Sequence, residues 1–169
     1  MNNPAEFTVE LLHAFVDKYI DEFIKRFPRL IMNVYFTPNG QPPIPDELWD
    51  AEAEKPVSGR FLKAGNEYRI GINNGLILPA QLMSFFHEYG HAVYRRETNE
   101  PIDNTDALIR TETAALLSSL RLSDEERLPH IAYLAVKAAR VAALTDPVYQ
   151  TAIENVKNNP LWQKYSEQN

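Results

Sequence analysis

The sequence predicts an α+β fold in which a small antiparallel sheet is followed by a helical half. Three observations predict this class: an opening segment with apolar residues at helical spacing, strand-like runs between residues 30 and 73, and helical periodicity from about Pro79 onward. We expect the sheet to pack on the N-terminal helix and on the first helix of the helical half.

The opening helix is expected to begin at Asn3 and Pro4, because an N-cap residue followed by proline at the first helical position is typical of a helix start. It should end before Pro28, since proline interrupts a helix. Between these limits the apolar residues follow one stripe: Phe7, Leu11, Leu12, Phe15, Tyr19, Ile20, Phe23 and Ile24.

Three short runs are typical of strands. Leu30–Phe36 is β-branched and aromatic and ends at the turn signal TPNG. Arg60–Lys63 and Glu67–Ile72 are separated by Ala64-Gly65-Asn66, which predicts a hairpin. The proline-rich residues 40–57 between these runs predict a loop or a short helical excursion.

The remaining chain predicts four helices. The first carries the sequence HEYGH, and the second covers residues 106–120. Ser123 with Glu126 three residues later forms a capping-box pair, which predicts a third helix that opens there and reaches about residue 144. Asp146 and the proline after it predict the start of a last short helix, followed by a polar tail.

Composition is that of a soluble globular chain, and 169 residues are most economically one domain, residues 1–169. The chain has no cysteine, so any metal must be held by His, Asp or Glu; this also fits a reducing cytoplasm. No signal peptide is apparent, and no apolar run approaches the roughly 20 residues that span a membrane. The net charge of −6 argues against nucleic-acid partners.

Two of the four histidines stand four residues apart in HEYGH, residues 87–91. Positions i and i+4 of a helix lie one turn apart on one face, so His87 and His91 can direct their rings at one ion. Glu88 lies about 100° further round the helix, near enough to reach an attacking water without being a ligand. This spacing predicts a zinc site with Glu88 as general base.

The same helix is expected to bury the side opposite its histidines. With a rotation of about 100° per residue, the apolar residues of this helix project from that opposite side. They are Leu78, Leu82, Phe85, Tyr89, Ala92 and Val93. A solvated polar face would give the same pattern, and an ordinary surface helix is therefore the alternative. Gly90 indicates close approach of a neighbouring backbone, because glycine inside a helix costs about 1 kcal/mol relative to alanine. A glycine that is merely tolerated is the alternative.

Glu112 is the candidate for a third ligand, since catalytic zinc usually takes three protein ligands. It lies on the apolar side of its predicted helix, with Arg110 and Ser118 on the opposite side. A buried carboxylate needs a partner charge, and zinc held by two histidines would provide it. The alternatives are a salt bridge to a nearby arginine such as Arg95 or Arg96, or a helix face that is less buried than its pattern indicates. The apolar neighbours on the wheel are Leu108, Ile109, Ala115 and Leu116.

HEYGH, followed 21 residues after His91 by Glu112 in ETAALL, resembles the gluzincin pattern of HExxH plus a downstream helical glutamate. The strand YRIGIN before a helix with FFHEYGHAVY is similar to ImmA/IrrE-type metallopeptidase domains, which regulate prophage, mobile-element or stress-response repressors by proteolysis. The C-terminal zincin domain of ArdC-like antirestriction proteins is a related alternative. The resemblance implies a zincin-like fold, Zn²⁺ as cofactor, ligands His87, His91 and Glu112, and Glu88 as general base.

The main hypothesis is a small cytoplasmic zinc metalloendopeptidase that cuts a specific protein partner, such as a repressor or regulator. The first alternative is a catalytically silent zincin-fold binding or regulatory module of a phage, mobile element or stress-response system. The second is a helical interaction protein in which HEYGH is a coincidence. The sequence does not indicate the oligomeric state.

Further residues around the predicted site are assigned less specifically. A peptide substrate is expected to add as a strand to the segment Arg60–Ile72. Tyr94 and Tyr133 are candidates for stabilising the oxyanion, although packing is the more usual role of such residues. The histidine rings are expected to donate their second N–H to a carboxylate or a carbonyl. The available acids are Glu97, Asp103 and Asp106.

Overall fold

The computed structural model describes residues 7–167 and confirms the α+β class. No helix in that range combines the length and the apolar character needed to cross a membrane. The described strands are β1 (Ile31–Thr37), β2 (Gly59–Ala64) and β3 (Glu67–Asn73), with a short 3-10 helix at Asp46–Leu48. The described helices are α1 (Val9–Arg26), α2 (Leu78–Thr98), α3 (Thr105–Glu125), α4 (Pro129–Ala143), α5 (Pro147–Val156) and α6 (Pro160–Ser166).

The sheet is mixed, so the prediction of an antiparallel sheet is wrong for one of its two pairings. β2 and β3 pair antiparallel as the predicted hairpin, with Gly65 in the turn at a φ of 63°. β1 pairs with β3 in parallel, and the strand order is β1-β3-β2. A parallel pair needs a crossover connection. Residues 38–58 carry the chain past the sheet to the far edge, from which the hairpin returns β3 to the centre.

Helix α1 begins at Val9, with the Thr8 side chain accepting a hydrogen bond from the Leu11 amide as its N-cap. Asn3 and Pro4, where the sequence predicts this start, lie outside the described residues. Phe7 precedes the helix rather than belonging to it, yet it is buried in the core as its apolar character predicts.

The buried side chains form two clusters. The first joins α1, the sheet and the apolar side of α2, as predicted for a sheet packed on these two helices. The second lies among α3, α4, α5 and α6. Its buried members are Leu116, Leu120, Ala132, Ala135, Val136, Ala139, Val156, Trp162 and Tyr165.

Helix α3 ends at Glu125, five residues later than predicted, and α4 begins at Pro129 rather than at Ser123. Ser123 does not cap a new helix; it is fully buried inside α3, and its hydroxyl donates to the Ser119 carbonyl. The chain turns at Arg127, which adopts a positive φ of 59°, and Pro129 starts α4. Apolar residues after Ser119 keep α3 helical because they continue its buried face. The tail predicted as polar contains α6, which buries Trp162.

Candidate metal centre

The HEYGH segment lies in the middle of α2, and its two faces divide as predicted. The apolar side is packed into the first core cluster, where Leu82, Phe85 and Ala92 are fully buried. The opposite face is not a solvated surface. The side chains of His87 and His91 are only 16% and 12% exposed, respectively. The alternative of an ordinary surface helix is therefore wrong.

Helix α3 lies against this face of α2 because Gly90 has no side chain. A Cβ atom at Gly90 would lie 2.5 Å from Cβ of Ser118 and 3.0 Å from Cα of Ala115. The Ser118 hydroxyl donates to the Phe86 carbonyl over 3.1 Å. This close approach was predicted from Gly90. The expectation that Ser118 lies away from the buried side is wrong, because the contact with α2 covers it.

The close packing brings the three predicted ligands together. The Nε2 atoms of His87 and His91 lie 3.1 Å and 2.9 Å from Oε1 of Glu112. One donor atom from each residue falls within 4.8 Å of the others, so the group could hold a metal ion. The described ion pairs of Glu112 are with these histidines and not with Arg95 or Arg96.

The donor set fits zinc in chemistry and in spacing. Two imidazole nitrogens and one carboxylate oxygen are ligands that catalytic zinc commonly takes. Metal–ligand distances of about 2.0–2.1 Å place neighbouring donors of a tetrahedron about 3.3 Å apart. The separations of 2.9 Å and 3.1 Å between Glu112 and the two rings are close to that value. A small inward or outward shift of the side chains would accommodate the ion.

Electrostatics of the three residues also favour a cation. Burial would raise the pKa of Glu112, but His91 and His87 outweigh it and hold the pKa well below its usual range. Burial lowers the pKa of His87, whereas the Glu112 carboxylate raises it and prevails. Glu112 is therefore an ionised carboxylate whose burial is compensated by the two histidines, and a cation held by all three residues would supply the same compensation.

Glu88 lies beside the triad but is not part of it. The backbone amide of Phe61 in β2 lies near its carboxylate and acts to lower the pKa of Glu88. A Cβ atom at Gly59 would lie 3.1 Å from Cγ of Glu88, so the glycine leaves the space that this side chain occupies. Burial raises the pKa of Glu88 above its usual range, against the opposing charges of His91 and His87. A raised pKa lets a carboxylate accept a proton near neutral pH.

Tyr149 of α5 completes the wall above the triad. Its hydroxyl donates to both carboxylate oxygens of Glu112, each at 3.3 Å, and lies 3.5 Å from Nε2 of His87. Burial raises the pKa of Tyr149, and the neighbouring carboxylates Glu112 and Glu88 raise it further. The phenol therefore stays protonated and is a hydrogen-bond donor at the centre.

Thr111 forms a hydrogen bond with the second ring nitrogen of His91. Its Oγ1 atom lies 2.8 Å from Nδ1 of His91, so the second ring nitrogen is hydrogen-bonded by a hydroxyl. The partner is thus neither the carboxylate nor the carbonyl that the sequence predicts. Among the acids considered, Glu97 pairs with Arg26 at the surface instead. A hydrogen bond to the second nitrogen fixes the ring orientation of a ligating histidine.

The triad opens into a cavity of about 480 Å³ that runs between β2 and the C-terminal helices. On one side it is lined by the end of the loop and the start of β2, from Val57 to Phe61. On the other side it is lined by α3, α4 and Tyr149. Such a volume is typical of small-ligand and peptide-binding clefts.

Tyr149 and Thr111 were missed in the sequence, for different reasons. The fold of α5 back onto α3 depends on contacts between distant segments, and no local pattern marks Tyr149. Thr111 directly precedes Glu112 in the sequence, so its position next to the site could have been inferred from that of Glu112. The two tyrosines considered instead have other contacts: Tyr94 donates to Glu100, and Tyr133 stacks edge-on against Tyr165.

Comparison of the chain with models of protein families, with curated proteins and with solved structures finds no match. The chain is therefore assigned to no family, and the resemblance to gluzincins and to ImmA/IrrE-type peptidases stays a prediction from the motif. The observation made on the structure itself is the triad of His87, His91 and Glu112.

Proposed function

We propose that this chain is a zinc-dependent metallopeptidase that hydrolyses a peptide bond in a specific protein partner. The observation that carries the proposal is the convergence of three zinc-type donor atoms beside a fourth, separate carboxylate. A site for structural zinc is normally closed by four protein ligands, whereas a catalytic site has three and remains open. The opening of this triad into a cavity supports the catalytic case.

Zinc, when bound at such a site, supplies a Lewis acid that polarises the scissile carbonyl and makes water more acidic. In this proposal Glu88 takes the proton from the attacking water and passes it to the leaving amine. Burial raises the pKa of the Glu88 carboxyl above its usual value, the direction that suits this transfer. A module that only binds a partner has no need of this arrangement.

Tyr149 is the residue that we propose as the donor to the developing oxyanion. Its hydroxyl lies beside the triad, is protonated, and is held by α5 rather than by a loop. A preorganised donor of this kind is effective because it faces the position where negative charge develops.

The peptide is proposed to bind along β2. This strand is at the edge of the described sheet, whereas β3 is central and has both sides paired. The expected platform, Arg60–Ile72, is therefore reduced to its first strand. Because Gly59 lies against the Glu88 side chain, a segment added to this edge would pass in front of the general base.

The test is a comparison of newly formed protein N-termini in cells that express the wild type or Glu88→Gln. We expect new termini with the wild type and at least about a hundredfold fewer with Glu88→Gln, since a positioned general base contributes about 10²–10⁴ in rate. Glu97→Gln is the matched control, because it makes the same substitution on the same helix at an exposed position. Identical termini in wild type and Glu88→Gln, both loaded with zinc, would rule out the peptidase and leave a binding module.

A further inference from the structure

We propose that the substrate is a peptide segment with a large uncharged side chain next to the cut bond, and that this side chain enters the cavity between α2, α3 and α4. The proposal rests on the proposed function and specifies its substrate class. It follows from the walls of the cavity beyond the triad, and from one polar group inside it.

The wall on α4 is made of small, uncharged side chains. Its residues are Ala135, Ala138, Ala139 and Ala142. Met83 of α2 and Leu116 of α3 face the same space. Alanines leave room for a large guest, and the charged residues of α4, Lys137 and Arg140, do not line the cavity. The charged side chains that line the cavity belong to β2, to Glu88 and to the triad, so a charged guest against α4 would lose its hydration without gaining a partner.

Ser84 is the second, independent observation. It lines the cavity and is only 3% exposed, and its hydroxyl has no hydrogen-bond partner within residues 7–167. It lies three residues before His87 and therefore on the same face of α2, about one turn away. A buried hydroxyl without a partner is unfavourable. A bound side chain with an uncharged polar tip, such as tyrosine, would provide that partner.

The packing of α2 against α3 places Ser84 at the inner part of the cavity. The two helices are antiparallel, because His91 contacts Thr111 while Phe86 contacts Ser118. The start of α2 and the end of α3 therefore lie on the same side of the ligands. Ser84 and Ser119 lie on that side of the triad, and both line the cavity. The space therefore leads inward from the metal centre.

The same cavity reaches the edge of β2, so one bound peptide can use both sides. Its backbone would lie against residues 59–61 of β2, and one side chain would cross the triad toward α4. This arrangement gives the backbone hydrogen bonds of a strand and one selective pocket.

The experiment measures the affinity of zinc-loaded protein for peptide hydroxamates that differ only in the side chain next to the metal-binding group. We expect tyrosine, phenylalanine and leucine compounds to bind at least about tenfold more tightly than the glycine compound, from the apolar area buried. The lysine compound should bind no better than the glycine compound. The tyrosine compound should exceed phenylalanine by about threefold, and Ser84→Ala should remove that difference.

Ala142→Leu and Ala143→Leu form a matched pair, because both add a leucine to α4 but only Ala142 lines the cavity. The first should reduce the preference for large side chains to less than about threefold, and the second should leave it unchanged. Zinc content of each variant is measured alongside.

Three outcomes would overturn the pocket. They are equal affinities across the series, no binding despite bound zinc, and an unchanged preference in Ala142→Leu. Equal binding of the tyrosine and phenylalanine compounds in the wild type would overturn the assignment of Ser84. If the preference is observed but no protein is cut, the pocket stands and the peptidase proposal fails. Absence of zinc from the folded wild type would overturn both.

Discussion

Glu112 lies between two imidazole rings in a crevice where its side chain is only 11% exposed. The histidines hold its pKa low, so it is ionised at neutral pH. The carboxylate, in turn, raises the pKa of His87. Each residue of the triad thus sets the charge state of another, and a bound cation would compete with protons for the same lone pairs. The three ligands are interdependent for this reason.

Tyr149 differs from the ligands because its substitution should change the rate of peptide hydrolysis without changing zinc affinity. We expect Tyr149→Phe to lower kcat by about 10²-fold or more, as for the loss of one oxyanion donor, with KM nearly unchanged. The measurement uses a peptide cut by the wild type, and zinc affinity is determined in parallel. Tyr94→Phe, whose hydroxyl bonds Glu100 away from the triad, is the control.

A drop in zinc affinity that matches the drop in kcat would contradict this role of Tyr149. In that case the hydroxyl would serve to hold Glu112 and His87 in place rather than to stabilise the oxyanion.

At the scale of elements, the separation of α2 and α3 determines whether the triad exists. The two helices meet at Gly90, where a Cβ atom would overlap Ser118. Gly90→Ala should therefore be destabilising by about 1–3 kcal/mol from overpacking, although alanine favours a helix by about 1 kcal/mol. Because α3 must move, zinc affinity should fall at least about tenfold. Urea unfolding and competition with a chelating dye measure the two effects.

Ser118→Gly on the same background provides the rescue, since it removes the atoms at 2.5 Å and 2.9 Å from the added Cβ. The double variant should regain most of the zinc affinity. A Gly90→Ala protein that is as stable as the wild type and binds zinc equally well would show that this contact does not position the ligands.

The elements that could be predicted are those defined by local pattern. The helix with HEYGH and the buried side of α3 follow from periodicity, which is a property of neighbouring residues. The pairing of β1 with β3 could not be predicted in the same way, because it depends on where residues 38–58 carry the chain. The late end of α3 was missed because the capping-box pattern at Ser123 competes with burial of the same residue.

At the scale of the whole molecule, the triad lies where the two core clusters meet. His87 and His91 project from α2, whose other side belongs to the first cluster. Glu112 is on α3, which contributes Leu116 and Leu120 to the second cluster. A metal ion at this place would join the two parts of the core. The sequence indicates the ligands but not this arrangement, because the clusters form from residues far apart in the chain.

The measurement that tests the metal centre most directly is the zinc content of the purified folded chain, determined by elemental analysis. We expect about one zinc per chain in the wild type, in Glu88→Gln and in His13→Ala. His13 is the control histidine, since it lies on α1 and its ring contacts that of Phe36. His87→Ala and Glu112→Ala should retain almost none, because catalytic zinc depends on all three protein ligands. A folded wild type without zinc, or full zinc content in Glu112→Ala, would contradict the proposed centre.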